Sequence, residues 1–252
     1  MDRMIHLALN SLKVLRVDQR INAQNLANLQ VPGFKKDIAV TRSSAFLTAM
    51  DQYNSRSFVT ADDKLRFSDE EGFIARTNGK LDFAIRGPGY FFIQPENSDK
   101  PALSRRGDFS LLPNGDLVDG AGNKLLDNQL QPVNLPPASK IIIDDAGKIV
   151  IEPFGSPEGT RQEVGILGAT RAEGVELIKD KDGQIRPVDG ELPIADQQAV
   201  IVQGSLENSN ADALDALLKN IEGQRTFELN VKFIKQAEQL DEAASRIMRL
   251  PS

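Results

Sequence analysis

The sequence predicts an α+β protein whose N- and C-terminal helices pair as a coiled-coil-like arm, with a central all-β domain between them in the chain. Three observations predict it. Residues 210–249 contain no proline and place Leu214, Leu217, Ile221, Phe227, Val231, Ile234, Leu240, Ala244 and Ile247 at mixed spacings of three and four, one face of a helix. Residues 2–30 carry a second such pattern. Between them, short apolar runs alternate with turn signals about every 8 to 12 residues, the habit of an all-β module.

In the first helix, heptad core positions counted from Ile5 fall on Ile5, Ala8, Leu12, Leu15, Gln19, Asn22, Leu26 and Leu29. Gln19 and Asn22 admit two readings. They are polar seam residues that fix register and partner, or the stripe rotates past them onto Val17 and Ile21. Pro32-Gly33 ends the helix, and Pro32 drives Val31 into an extended conformation. Residues 43–52 suit a short helix inside an otherwise irregular connection.

Strand signals then dominate. The stretch LDFAIRGPGYFFIQ reads as two strands broken at Gly87-Pro88-Gly89, and further turns fall at Asn114-Gly115, Ala121-Gly122-Asn123, Asp145-Ala146-Gly147 and Asp182-Gly183. The last helix would be about 60 Å long at 1.5 Å per residue. Asn208-Ser209-Asn210 offer its N-cap, and Gly223 is its one poor helix former. The expected organisation is 1–36, N-terminal helix of an assembly arm; 37–78, irregular connection; 79–204, β-rich domain; 205–252, C-terminal helix of the arm.

Composition excludes several functions. The chain has no cysteine and one histidine, His6, so thiolate sites, histidine-clustered metal sites and a Ser-His-Asp triad are not expected. A net charge of −6 argues against nucleic-acid binding, although residues 1–36 are locally basic. No apolar run reaches the roughly 18 residues of a membrane span, so no membrane insertion and no cleaved signal peptide are expected. Asp180-Lys181-Asp182-Gly183 is a poor calcium loop because Ile178 takes the first ligand position and Asp189 the last. Gly87-Pro88-Gly89 lacks the lysine of a phosphate loop. The paired carboxylates Asp144-Asp145 and Glu70-Glu71 are sequence neighbours, which point to opposite faces of a strand. No catalytic, cofactor or metal site is expected.

NLANLQVPGFKKD at 25–37 resembles the N-terminal signature of bacterial flagellar rod and hook proteins through Asn25, Leu26, Ala27, Asn28, Pro32, Gly33 and Phe34, with Val31 where a small hydroxyl residue is usual. LDFAIRGPGYFFI and SRRGDFSLLPNGDLVDGAGNKLLD are similar to central blocks of that family. GSLENSNAD at 204–212 resembles the opening of its C-terminal helix, and Arg225, Phe227 and Glu228 match an Arg-x-aromatic-Glu pattern. Length and the ending LDEAASRIMRLPS resemble the proximal rod type, with distal rod or hook-family subunits as the alternative.

The resemblance implies a structural subunit that is exported by the flagellar type III apparatus and stacks with copies of itself and other rod proteins in the periplasmic basal body. The expected assembly interface is Ile5, Leu12, Leu15, Asn25, Leu26, Asn28, Pro32, Gly33, Phe34, Leu217, Ile221, Arg225, Phe227, Glu228, Val231, Ile234, Leu240 and Ile247. Asn25, Asn28 and Phe34 are expected to be the most sensitive. The Asn side chains can bond backbone near the helix end, and Phe34 can pack against Leu26 or Leu29. A β-domain adhesin tethered by a coiled coil is the other class, but the chain has no Trp and two Tyr, Tyr53 and Tyr90, for ligand stacking.

Overall fold

A computed structural model describes residues 2–38, 66–157, 159–180 and 182–248, with side chains described for residues 11–38 of the N-terminal segment and as far as 240, 242 and 243 in the last helix. The expected helix at 43–52 lies outside the described residues. The chain forms two compact units. One comprises Met1–Ala27, Asp37–Asp63 and Asp212–Ser252; the other comprises Asn28–Lys36 and Lys64–Ala211.

The first unit is built on α1 (Asp2–Ala27) and α2 (Ala213–Met248), with the short strand β1 (Asp37–Ile38). α1 ends three residues before the expected stop at 30. Residues 28–30 form a turn in which Val31 N–H donates to Asn28 O at 3.2 Å, ahead of Pro32. α2 begins after Asp212, not after the expected Asn208-Ser209-Asn210. Asp212 Oδ1 accepts from Leu214 N–H at 2.7 Å and Asp215 N–H at 3.0 Å, which satisfies two of the orphan donors of the first turn.

α1 and α2 run antiparallel. Asn22 Nδ2 donates to Ala216 O at 2.7 Å, Gly223 faces Leu15 and Gln19, and Asn230 Nδ2 donates to Ser11 Oγ at 3.0 Å. On α2 the line facing α1 is Ala216, Gly223, Asn230 and Ala237, spaced by sevens, so the contact is made by small and amide residues. Of the α1 stripe, Gln19 and Asn22 face α2, and Ile21 beside them is buried. Leu214, Leu218 and Ile221 sit two residues from that line, about 160° around the helix at 100° per residue, and are exposed.

The second unit is all strand and turn: β2 (Arg66–Phe67), β3 (Ile74–Arg76), β4 (Phe83–Arg86), β5 (Tyr90–Gln94), β6 (Ala102–Ser104), β7 (Phe109–Leu111), β8 (Leu117–Asp119), β9 (Lys124–Leu125), β10 (Ala138–Ile143), β11 (Lys148–Pro153), β12 (Gln162–Ile166), β13 (Ala169–Thr170), β14 (Leu177–Lys179), β15 (Ile185–Pro187), β16 (Val200–Gln203) and β17 (Ser205–Glu207). Strands therefore lie on both sides of the stretch 79–204, and Asn28–Lys36 folds with this unit.

The main sheet has the order β14-β15-β6-β5-β9-β8-β7, with β13 also paired to β5; β10-β11-β12 form a meander, and β16 pairs with β4 and β17 with β3. β5 is covered on both faces. Phe91 and Ile93 enter a core with Phe83, Leu117, Leu125 and Ile149, while Tyr90 and Phe92 enter a second with Phe67, Leu103 and Ile185. The turns expected at Asn114-Gly115, Ala121-Gly122-Asn123, Asp145-Ala146-Gly147 and Asp182-Gly183 each join neighbouring strands.

Candidate functional site

The motif stretch after α1 and the stretch before α2 meet within the β unit. Gly33 N–H donates to Glu207 O at 2.7 Å, Asn210 N–H to Phe34 O at 3.2 Å, and Lys36 N–H to Asn210 Oδ1 at 2.6 Å. On the other side, Ser68 N–H donates to Lys36 O at 2.9 Å, and Asn210 Nδ2 reaches Ser68 O and Glu70 O at 3.1 and 2.8 Å. Residues 33–36 are thus held between 207–210 and 68–70. Gly33 has φ +67°, and a Cβ there would fall 2.2 Å from Arg105 O, so this contact admits only glycine.

Beneath this backbone seam lies a charged centre. The Glu207 carboxylate accepts Lys35 Nζ at 2.9 Å, Arg105 Nε at 2.5 Å and Gly72 N–H at 2.8 Å, with the Lys35 and Glu207 side chains each 1% exposed. Two cations share one carboxylate, so carbonyl dipoles take the rest. Arg105 donates to Ile85 O, Gly87 O and Gly89 O at 2.7–3.0 Å, and Lys35 Nζ to Glu70 O at 2.7 Å. Burial, and then the neighbouring Arg105 charge, lower the Lys35 pKa, with Glu207 opposing both. Lys179 Nζ donates to Lys35 O at 2.6 Å and stands 3.9 Å from the centroid of the Phe34 ring. Nearby, Tyr90 OH donates to Asp69 Oδ1 at 3.1 Å, and burial holds that phenol protonated well above its ordinary range.

The expected interface residues are distributed as follows. Pro32, Gly33 and Phe34 belong to this seam; Phe34, expected against Leu26 or Leu29, takes Lys179 on its ring. Asn25 bonds backbone as expected, but at Asp37: its Nδ2 donates to Asp37 O at 3.0 Å and its Oδ1 accepts Asp37 N–H at 2.8 Å. Asn28 O caps the turn after α1. Leu12 and Leu15 are half-buried, and Leu26 is exposed. On α2, Val231 and Ile234 are half-buried, whereas Leu217, Ile221, Arg225, Phe227, Glu228 and Leu240 are exposed. The side chains of Ile5 and Ile247 lie outside the described residues.

Sequence reasoning missed Lys35, Arg105, Lys179, Glu207 and Asn210. Lys35, Arg105, Glu207 and Asn210 stood inside the quoted family-like blocks, and that was the signal available. Gly87-Pro88-Gly89, read only as a turn, supplies carbonyls to Arg105. Three of the carboxylates that suggested metal or acid chemistry are occupied. Arg186 engages both oxygens of Asp182 at 2.6 and 2.8 Å, Asp144 Oδ1 closes the β10–β11 turn, and Glu70 pairs with Lys36 at 2.8 Å. Among the described residues no group of three or more His, Cys, Asp or Glu could hold a metal ion. No described helix is long and apolar enough to cross a membrane.

Residues 84–151, spanning β4 to β11 and including Arg105, match the family described as flagellar hook protein FlgE/F/G D1 domain. Residues 202–247, from β16 through most of α2 and including Glu207, match flagellar basal body rod FlgEFG protein C-terminal. Both descriptions are of flagellar rod and hook proteins. The Arg105–Glu207 pair therefore joins the two family-matched stretches. Flagellar rod relatives cover nearly the whole chain. The flagellar basal-body rod protein FlgF of Caulobacter vibrioides is 28% identical over 97% of both chains, and that of Salmonella typhimurium 27% identical over 99% of this chain and 100% of its own. The flagellar basal-body rod protein FlgG of Buchnera aphidicola subsp. Schizaphis graminum is 26% identical over 92% and 94%.

Proposed function

We propose that the chain is a structural, non-enzymatic subunit of the flagellar basal-body rod, of the proximal type, that assembles with copies of itself and other rod proteins through its terminal helices. The observation that carries this reading is the exposed apolar surface of α2. Leu214, Leu218, Leu229 and Leu240 are 66, 53, 65 and 59% exposed, on a helix whose intramolecular contact uses Ala216, Gly223 and Ala237 instead. Each such leucine contributes about 1.5–3 kcal/mol when covered, so a subunit that leaves them bare gains from stacking. In the assembled rod α1 and α2 act as a coiled-coil-like arm, and Ile5, Leu12, Leu15, Leu217, Ile221, Arg225, Phe227, Glu228, Val231, Ile234 and Ile247 contribute to contacts along it. Asn25, Asn28, Pro32, Gly33 and Phe34 are further positions on which assembly depends.

Export through the flagellar type III apparatus to a periplasmic rod accompanies this reading, and the cysteine-free chain suits passage into an oxidising compartment. The test is the triple variant L214S/L218S/I221S. It is expected to keep the circular dichroism of the parent, fail to join rods in purified basal bodies and leave cells non-motile. Normal rods and motility with the variant would overturn the proposal.

A further inference from the structure

The chain contains two Asn-Gly pairs whose amide environments differ in chemistry, Asn78-Gly79 and Asn114-Gly115. At the first, Arg76 Nε donates to Asn78 Oδ1 at 3.0 Å, and Gly79 N–H donates to Thr77 Oγ1 at 3.2 Å. Thr77 Oγ1 in turn donates to Asp82 Oδ2 in a short hydrogen bond. Thr77 and Asn78 are exposed. We propose that Asn78-Gly79 is a self-modifying site, at which the surrounding side chains promote cyclisation of the Asn78 amide onto the Gly79 nitrogen and conversion of Asn78 to aspartate and isoaspartate.

The roles follow from the contacts. Asp82 takes the Gly79 N–H proton through the Thr77 hydroxyl, which leaves the Gly79 nitrogen able to form a bond to Asn78 Cγ. The carbonyl oxygen of that Cγ becomes an oxyanion facing the Arg76 guanidinium, a charge-assisted donor already in place. Collapse breaks the Cγ–Nδ2 bond, ammonia leaves with the relayed proton, and a cyclic imide remains. Solvent water then opens either imide carbonyl, giving aspartate or isoaspartate; the net reaction is Asn plus water to Asp or isoAsp plus ammonia. No oxidant or cofactor enters.

The turn itself imposes the labile pair. Asn78 has φ +59°, a conformation that Asn and Gly adopt most readily, and a Cβ on residue 79 would fall 2.2 Å from Asp82 Oδ2. Conversion has a structural consequence, because Thr77 N–H and Asn78 N–H both donate to Gly204 O, at 2.9 and 3.0 Å, between β16 and β17. An isoaspartyl linkage adds a backbone methylene where those two bonds anchor the strands that lead to Glu207.

Asn114-Gly115 is the internal control. Its Oδ1 accepts from Asp116 N–H at 3.1 Å, its Nδ2 is held by Asp116 Oδ2 at 3.0 Å, and Gly115 N–H donates to Leu112 O at 2.9 Å, with no hydroxyl relay. The experiment incubates the folded full-length chain in mildly alkaline buffer and follows both sites by peptide mapping with isoaspartate detection. Asn78 is expected to convert about tenfold faster than Asn114, a modest share of what general acid–base catalysis supplies. That lead should collapse in urea, and also in T77V, D82N and R76Q, of which R76Q changes only an exposed side chain; circular dichroism confirms which variants are folded. Equal rates in the folded parent, or a lead that survives in urea or in every folded variant, would overturn the proposal.

Discussion

Glu207 binds Lys35 and Arg105 on one buried carboxylate, at 2.9 and 2.5 Å. The two cations are not equivalent to the anion they share. Removing Lys35 leaves a matched Arg105–Glu207 pair, whereas neutralising Glu207 leaves two buried cations facing each other. E207Q is therefore expected to destabilise the β unit by about 3–5 kcal/mol, the cost of an uncompensated buried charge. K35M should cost less, about 2–3 kcal/mol, the scale of the charge-assisted hydrogen bond to Glu207 that it loses together with the bond to Glu70 O. Urea denaturation of both variants measures the difference, and equal losses would show that the carboxylate is not the centre of the network.

Gly33 is constrained twice, by φ +67° and by the approach of Arg105 O to the place where a Cβ would stand. A non-glycine residue in this backbone region costs about 1–3 kcal/mol before any clash is counted. G33A should lower the denaturation midpoint by at least that much and detach residues 33–36 from 207–210. Hydrogen exchange is the sharper measurement: faster exchange at Gly33 N–H and Asn210 N–H, with the β5 amides still protected, is the expected pattern.

The helices and the strand-turn rhythm were legible because their signals are local. A 3.6-residue period marked α1 and α2, and Asn-Gly or Asp-x-Gly pairs marked the hairpins. The charged centre was not legible because it is non-local: Lys35, Glu70, Arg105 and Glu207 lie far apart in the chain, and nothing in their local patterns distinguishes them from solvated surface residues. The face of α2 that meets α1 was not legible for a related reason. Close helix approach selects Ala216, Gly223 and Ala237, which carry little hydropathy signal.

Asp116 gives the β unit an acid-sensitive element. Hydrogen bonds from Lys124 Nζ at 2.9 Å and then Asn134 Nδ2 at 2.9 Å hold its carboxyl below the ordinary value of 3.8. Because the folded pKa is the lower one, the stabilisation is present in full above 3.8 and is lost as pH falls through the folded value. D116N should be less stable than the parent at neutral pH, with the two converging as the solution is acidified below that range. Parallel denaturation curves at a series of pH values check this, and a constant gap down to strong acid would contradict it.

Gly223 is the one glycine within α2 and, by propensity alone, its weak point. It also faces α1, where a glycine often signals that nothing larger fits. Here the nearest atoms to an added Cβ are Leu15 Cδ1 at 3.5 Å and Gln19 Nε2 at 3.7 Å, both ordinary van der Waals distances at the ends of flexible side chains. The helix gains about 0.5–1 kcal/mol on replacing an interior glycine by alanine, and the added methyl gains contacts without displacing backbone. G223A should therefore raise the thermal midpoint of the helical unit and leave the parent's circular dichroism unchanged. A lower midpoint would mean that α1 and α2 approach more closely in solution than these distances allow, and would assign Gly223 a packing role as strict as that of Gly33.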